Sequence, residues 1–251
     1  MRAVRKLTRW DGGRLRIVAD PPLIVPFSDL APDGADPAGI EARLCSLLTT
    51  YRRTLEPDRR FLLGQYEVVD LARKVVGVGS VGTRCWIVLM LGRDTNDPLF
   101  LQVKEAERSV LSRFVGSSRY ANQGQRVVAG QRLMQASSDI FLGWQRNEAD
   151  LDGKQRDFYV RQLRDWKFSL DIQAMTPRDM RMYGELCGWT LARAHARSGD
   201  RIAIAAYLGG SDVFDRAITE FAAAYADQNE RDHRALVDAV SSGRITATRD
   251  T

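Results

Sequence analysis

Residues Val75 to Ala106 read VVGVGSVGTRCWIVLMLGRDTNDPLFLQVKEA, and this stretch restricts the fold more strongly than any other part of the chain. Gly77, Gly79 and Gly82 precede an apolar run from Cys85 to Leu91, a turn-forming break from Gly92 to Pro98, and a second apolar run that ends on Lys104. Glycines at this spacing admit φ > 0 and bring bare N–H groups close to an anion, which is how a loop cradles phosphates. A dinucleotide-binding fingerprint would open a helix straight after the last glycine. Here β-branched, aromatic and aliphatic residues follow instead, then a cluster of turn formers, so the pattern predicts strand, turn and strand.

No Gly-Lys-Ser/Thr follows the first glycines, which excludes a Walker-type loop. The arrangement that remains is that of the protein kinases, in which a glycine-rich hairpin covers the phosphates and a lysine on the third strand reaches them. Lys104 stands where that lysine belongs. The pattern also fits a plain glycine-bearing hairpin whose lysine marks the exit of a strand into solvent.

A chain of 251 residues with 44% hydrophobic and 27% charged residues has the composition of a globular protein large enough for a sizeable core. No apolar run reaches the length of a membrane span and the N-terminus lacks the apolar centre of a signal peptide, so a cytoplasmic location is expected, without membrane association. Cys45, Cys85 and Cys187 are odd in number and far apart, which speaks for free thiols and against a zinc site. The net charge of +5 is spread along the chain, and the cluster Arg2, Arg5, Lys6, Arg9, Arg14 and Arg16 has only Trp10 as an aromatic neighbour, so nucleic acid is not an expected partner.

Leu15 to Val18 and Leu23 to Val25 are expected as short extended segments, and Ile40 to Tyr66 as two helical pieces. The first strand of the glycine hairpin spans Val68 to Val76. A helix is expected from Glu105 to Phe114, another from Gln125 to Ala136, then a hairpin from Ile140–Trp144 to Phe158–Leu163. Asp150 to Gly153, in the turn of that hairpin, resembles a calcium loop only in its first residues, and a plain turn is expected there. Thr176-Pro177-Arg178-Asp179 is a helix start, and Ser211-Asp212 caps a long helical run expected to bend or break between Asp227 and Asp232. His195 and His233 are the only histidines and give little material for a catalytic triad or a metal site. The expected organisation is an extended and helical segment over 1–66, a sheet-bearing lobe over 67–167 and a helical lobe over 168–251.

GQRVVAGQRLMQASSDIFLGW (Gly124–Trp144), DFYVRQLRDWK (Asp157–Lys167), LCGWTLARAHARSGD (Leu186–Asp200) and YADQNERDH (Tyr225–His233) resemble family 2252 of the bacterial domains of unknown function. The resemblance implies an α+β, kinase-like fold related to the aminoglycoside phosphotransferases. In that fold a small antiparallel sheet lobe with a glycine-rich hairpin is followed by a mainly helical lobe. It implies ATP held by Gly77, Gly79, Ser80, Gly82 and Lys104, with Glu107 the nearest candidate to pair the lysine and the adenine against Gln162 and Leu163. Longer family members carry a Gly-Asp-x-His-x-x-Asn stretch and an Asp-rich strand that look like a catalytic loop and metal-binding motif. Neither occurs in this sequence, and Arg2 to Pro26 resembles an interior part of those proteins. The expectation is therefore an incomplete domain resembling the family's C-terminal portion: a phosphotransferase lobe inactive by itself, without an identifiable magnesium site. A missing N-terminal segment or a separate chain would then supply the catalytic loop. The alternative, from another class, is a non-catalytic scaffold or interaction module that keeps the fold without nucleotide chemistry.

Overall fold

The computed structural model describes residues 6–30, 46–75, 77, 82–147, 153–163 and 170–247. Its central element is a six-stranded antiparallel sheet in the order β3-β4-β5-β6-β8-β7. The strands are β3 (Ile24–Pro26), β4 (Glu67–Lys74), β5 (Cys85–Leu91), β6 (Pro98–Glu105), β7 (Gly143–Asn147) and β8 (Arg156–Gln162). A separate hairpin of β1 (Thr8–Asp11) and β2 (Arg14–Ile17) precedes them. The helices are α1 (Pro57–Leu63), α2 (Gln123–Met134), α3 (Pro177–Ser198), α4 (Arg201–Leu208) and α5 (Val213–Ser241). Residues 46–52 are also helical.

The unbroken apolar run of β5 is explained by burial on both faces, since a strand covered on one side only would alternate. Trp86, Val88 and Met90 join Leu71, Leu99, Leu101, Phe158 and Val160 in one core, closed by Tyr51, Leu55 and Leu63 from the segment before β4. Ile87 and Leu89 join Ala72, Phe100 and Leu163 on the opposite face, where Leu15 and Ile17 of the β1–β2 hairpin cover them. Asp70 fastens that cover: its carboxylate accepts the Ile17 amide at 2.8 Å and lies 3.5 Å from the Arg16 guanidinium.

The expected helix from Glu105 to Phe114 does not form; only Ser112–Val115 makes one turn. Glu105 is instead the last residue of β6, and the sheet pairing continues past it: Glu105 N–H bonds the Arg84 carbonyl and Ala106 N–H the Asp157 carbonyl. Helix α5 runs unbroken through 227–232. Side-chain pairs one turn apart, Gln228–Asp232 and Glu230–Arg234, lace that charged stretch together. Ile140 to Leu142 lie outside β7, with Asp139 accepting the Phe141 amide in a turn; Phe141 and Leu142 are apolar because they are buried. β1 was not expected, although Asp11-Gly12-Gly13 supplies a turn with both glycines at positive φ. The extended segments around Leu15 and Val25, the start of α3 at Pro177 and the hairpin strands of 67–105 follow the sequence pattern.

The chain divides into two compact units, Met1–Ala194 and His195–Thr251, with the division inside α3. In the second unit, α4 starts at Asp200, whose carboxylate accepts the amides of Ile202 and Ala203. No helix among the described residues is long and apolar enough to cross a membrane.

Candidate functional site

The loop between β4 and β5 is bracketed by Gly77 at φ +142° and Gly82 at φ +86°, backbone angles that a side chain strains against. Gly79 and Ser80 lie outside the described residues, as does the turn of the β7–β8 hairpin from 148 to 152. Cys85, the first residue of β5 after this loop, pairs across the sheet with Lys104 of β6. Lys104 pairs in turn with Tyr159 of β8, and Tyr159 with Trp144 of β7. These four side chains form one row on one face, at the loop end of the sheet. The apolar cluster under the β1–β2 hairpin contains none of them.

Helix α2 packs along β7 and β8. Asp157 holds its start by accepting the Gln123 amide at 2.7 Å and the Asn122 side-chain amide at 3.1 Å, while Asn122 itself caps the helix by accepting the Gln125 amide. Near the other end the Arg132 guanidinium lies 5.9 Å from the centre of the Trp144 ring. Strand alternation points Asp157 and Trp144 the same way as Tyr159 and Lys104, so α2 stands on the lysine's side of the sheet. Gly124 permits the close approach: a Cβ there would lie 2.0 Å from the Phe158 carbonyl oxygen.

Lys104 is half-buried and, among the described residues, makes no ion pair or hydrogen bond. Glu105 belongs to the opposite face. Its carboxylate takes the Arg156 guanidinium at 3.0 Å and the Arg84 amide at 2.8 Å, with the Arg84 guanidinium at 3.9 Å. Glu107 is exposed, and its backbone carbonyl accepts from Arg126 at 2.9 Å; it forms no pair with Lys104. The carboxylate expected beside the lysine is therefore not found among the described residues, because residues 104 and 105 alternate faces and the chain leaves the sheet without forming a helix.

At the far end of β8, Gln162 is exposed and Leu163 is buried in the apolar cluster. Both amides are occupied: Gln162 N–H donates to the Asp139 carboxylate at 3.0 Å and Leu163 N–H to the Phe100 carbonyl at 2.8 Å. A purine edge at this position would meet no vacant backbone donor on these two residues.

Sequence reasoning missed the polar row next to Lys104. Gln102, only 3% exposed, accepts from Arg161 Nε at 3.1 Å and from one Arg161 Nη at 3.0 Å. Burial pushes the Cys85 thiol up, opposed by Lys104 and Gln102, and burial likewise raises the Tyr159 phenol. Both stay protonated near neutral pH and add no negative charge to the face. Among the described residues no three His, Cys, Asp or Glu side chains gather as a metal site would require.

The profile of a bacterial family described as "Uncharacterized protein conserved in bacteria (DUF2252)" matches residues 1–239. This span covers well over half of the chain, which therefore belongs to that family. No curated protein and no solved structure matches it.

Proposed function

We propose that this member of the family is a kinase-like nucleotide-binding domain that holds the phosphates of ATP between the 77–82 loop and Lys104, as part of a phosphotransferase. The observation that carries the reading is Lys104 itself. The half-buried lysine has no carboxylate or hydrogen-bond partner for its ammonium among the described residues, so its charge is available to an incoming anion. The positive-φ glycines on either side of the loop support the same reading, since such a backbone can turn N–H groups toward that anion. So does the order of elements, five strands β4 to β8 with α2 inserted after the third and standing on the lysine's face.

Transfer itself needs a carboxylate to orient the acceptor hydroxyl and ligands for Mg²⁺. The acids described around the sheet have other work: Asp139 holds the Gln162 amide, Asp157 holds α2 and Arg146, and Glu105 holds Arg84 and Arg156. In this reading the catalytic loop comes from a further segment or a separate chain. Calorimetric titration of ATP into the wild type and Lys104→Ala tests it. A charge-assisted phosphate contact contributes about 1.5–3 kcal/mol, so the variant's dissociation constant rises roughly ten- to a hundredfold. Equal affinities remove Lys104 from the site.

A second reading, the non-catalytic interaction module, draws on α5, where Phe214, Ile218, Phe221, Tyr225, Leu236 and Val237 are all exposed. A folded wild-type protein that binds no ATP selects it.

A further inference from the structure

The face that carries Lys104 holds a second cation in a more constrained setting. Arg161 lies on β8 two residues beyond Tyr159, the cross-strand partner of Lys104, so it is the diagonal neighbour of the lysine on the same face. Diagonal positions on paired strands stand about 7–8 Å apart, within the joint reach of two long side chains. One edge of the guanidinium is committed to Gln102 Oε1, and among the described residues no carboxylate pairs with Arg161. The acids that share this face are used elsewhere, Asp157 by Arg146 at 2.7 Å and Asp70 by Ile17 and Arg16.

Gln102 is what makes the arrangement unlike an ordinary surface arginine. It is buried between Ile87 and Phe100, where an aliphatic side chain would pack without the cost of burying an amide. The Gln102–Arg161 link joins β6 to β8, and the buried amide oxygen is satisfied by fixing the guanidinium. A planar fork held along one edge presents its remaining N–H groups in a set direction, which suits phosphate oxygens better than a mobile ammonium does. Two cations at neighbouring positions, neither with a carboxylate partner among the described residues, repel each other, and an anion that bridges them removes the repulsion.

We infer that Arg161, oriented by Gln102, is a second phosphate-binding cation beside Lys104, and that the ligand of this face is a nucleoside di- or triphosphate in preference to a monophosphate. The inference rests on the phosphate-binding reading above and adds to it a residue and a requirement for at least two phosphates. A single phosphate reaches one cation, whereas successive phosphates of a polyphosphate reach both.

The test is calorimetric titration of the full chain with ATP, ADP and AMP, for the wild type, Lys104→Ala, Arg161→Met, Arg161→Lys and Gln102→Leu, with a melting curve for each. The wild type is expected to bind ATP and ADP more tightly than AMP. Arg161→Met weakens ATP and ADP about tenfold or more and leaves AMP within about threefold, as expected for loss of one charge-assisted contact. Gln102→Leu, which keeps the cation and removes its tether, gives a smaller loss in the same direction. Arg161→Lys keeps the charge without the fork and falls between wild type and Arg161→Met; it and Gln102→Leu carry the test if Arg161→Met does not fold. Unchanged ATP affinity in the folded Arg161 variants, or an equal loss for AMP and ATP, overturns the inference. If Lys104→Ala still weakens ATP in that case, the phosphate-binding reading stands and only the role of Arg161 falls. If neither substitution matters, both fall.

Discussion

Glu105 offers the sharpest test of how the glycine loop is anchored. Its carboxylate is 10% exposed, receives Arg156, itself 11% exposed, at 3.0 Å, and accepts the Arg84 amide at 2.8 Å just after Gly82. Replacing it by alanine takes one carboxylate away from the largely desolvated Arg156 guanidinium. Breaking a buried pair from one side costs about 3–5 kcal/mol, against roughly 0–1 kcal/mol for an exposed pair. A domain with about 5–15 kcal/mol in all would lose a large part of its stability. Urea unfolding of the wild type, Glu105→Ala, Arg156→Met and the double variant separates the pair from its surroundings. The double variant should be less destabilised than the two single losses predict together, with a coupling of about 1–3 kcal/mol. The Arg84 amide also loses its acceptor, so some loss persists in the double variant. A Glu105→Ala cost below about 1 kcal/mol, or additive single losses, would refute the view that this carboxylate clamps the loop to β6 and β8.

Gly124→Ala places a Cβ 2.0 Å from the Phe158 carbonyl oxygen, so α2 or β8 must move; thermal melting should show a loss of about 1–3 kcal/mol. In a Cys45→Ser background, an alkylating reagent at neutral pH should modify half-buried Cys187 well before Cys85, whose thiol is buried and raised by desolvation; equal rates by mass spectrometry would count against that burial. The capping box of α3, in which Thr176 and Asp179 bond each other's amides, lowers the Asp179 carboxyl below its usual range. A depressed folded value stabilises above the unfolded value of about 4 and is lost as pH falls through the folded one. Amide exchange at Asp179, corrected for intrinsic rate, should therefore accelerate in acid for the wild type and show no such acid step in Asp179→Asn.

Much of the sheet was legible because local chemistry and global placement agree there. The apolar run of Cys85–Leu91, the turn formers at 92–97 and the Thr176–Asp179 box each carry their own instruction. The site was legible only in part. Gly77, Gly82 and Lys104 could be singled out because glycine and a strand-end lysine are local signals. Arg161 and Gln102 could not, because they meet only through the register of strands that lie 59 residues apart. The same holds for Asp157, whose link to the start of α2 depends on β8 lying between β6 and β7. The misplaced helix at Glu105 has the converse cause. Its residues tolerate a helix, yet Glu105 and Ala106 continue the sheet pairing with Arg84 and Asp157, segments distant in sequence.

The position of β8 between β6 and β7 also divides the sheet by the entropy of closing it. The turn from β5 to β6 closes only a short loop, Leu91 pairing with Pro98, whereas the first pair of β6 with β8 joins Glu105 to Phe158. Closure of a loop of about 50 residues instead of about 6 costs roughly 2 kcal/mol more at 25 °C, about three doublings of loop length. That extra cost falls on the junction holding Lys104, Gln102 and Arg161. It is offset there by contacts that bridge distant segments: Glu105 with Arg156, Gln102 with Arg161, and Asp157 with α2. The residues that would grip a ligand thus sit on the seam between a locally assembled meander, β4–β5–β6, and a hairpin recruited from far along the chain. Anything bound across Lys104 and Arg161 would add its own binding energy to the closure of that seam.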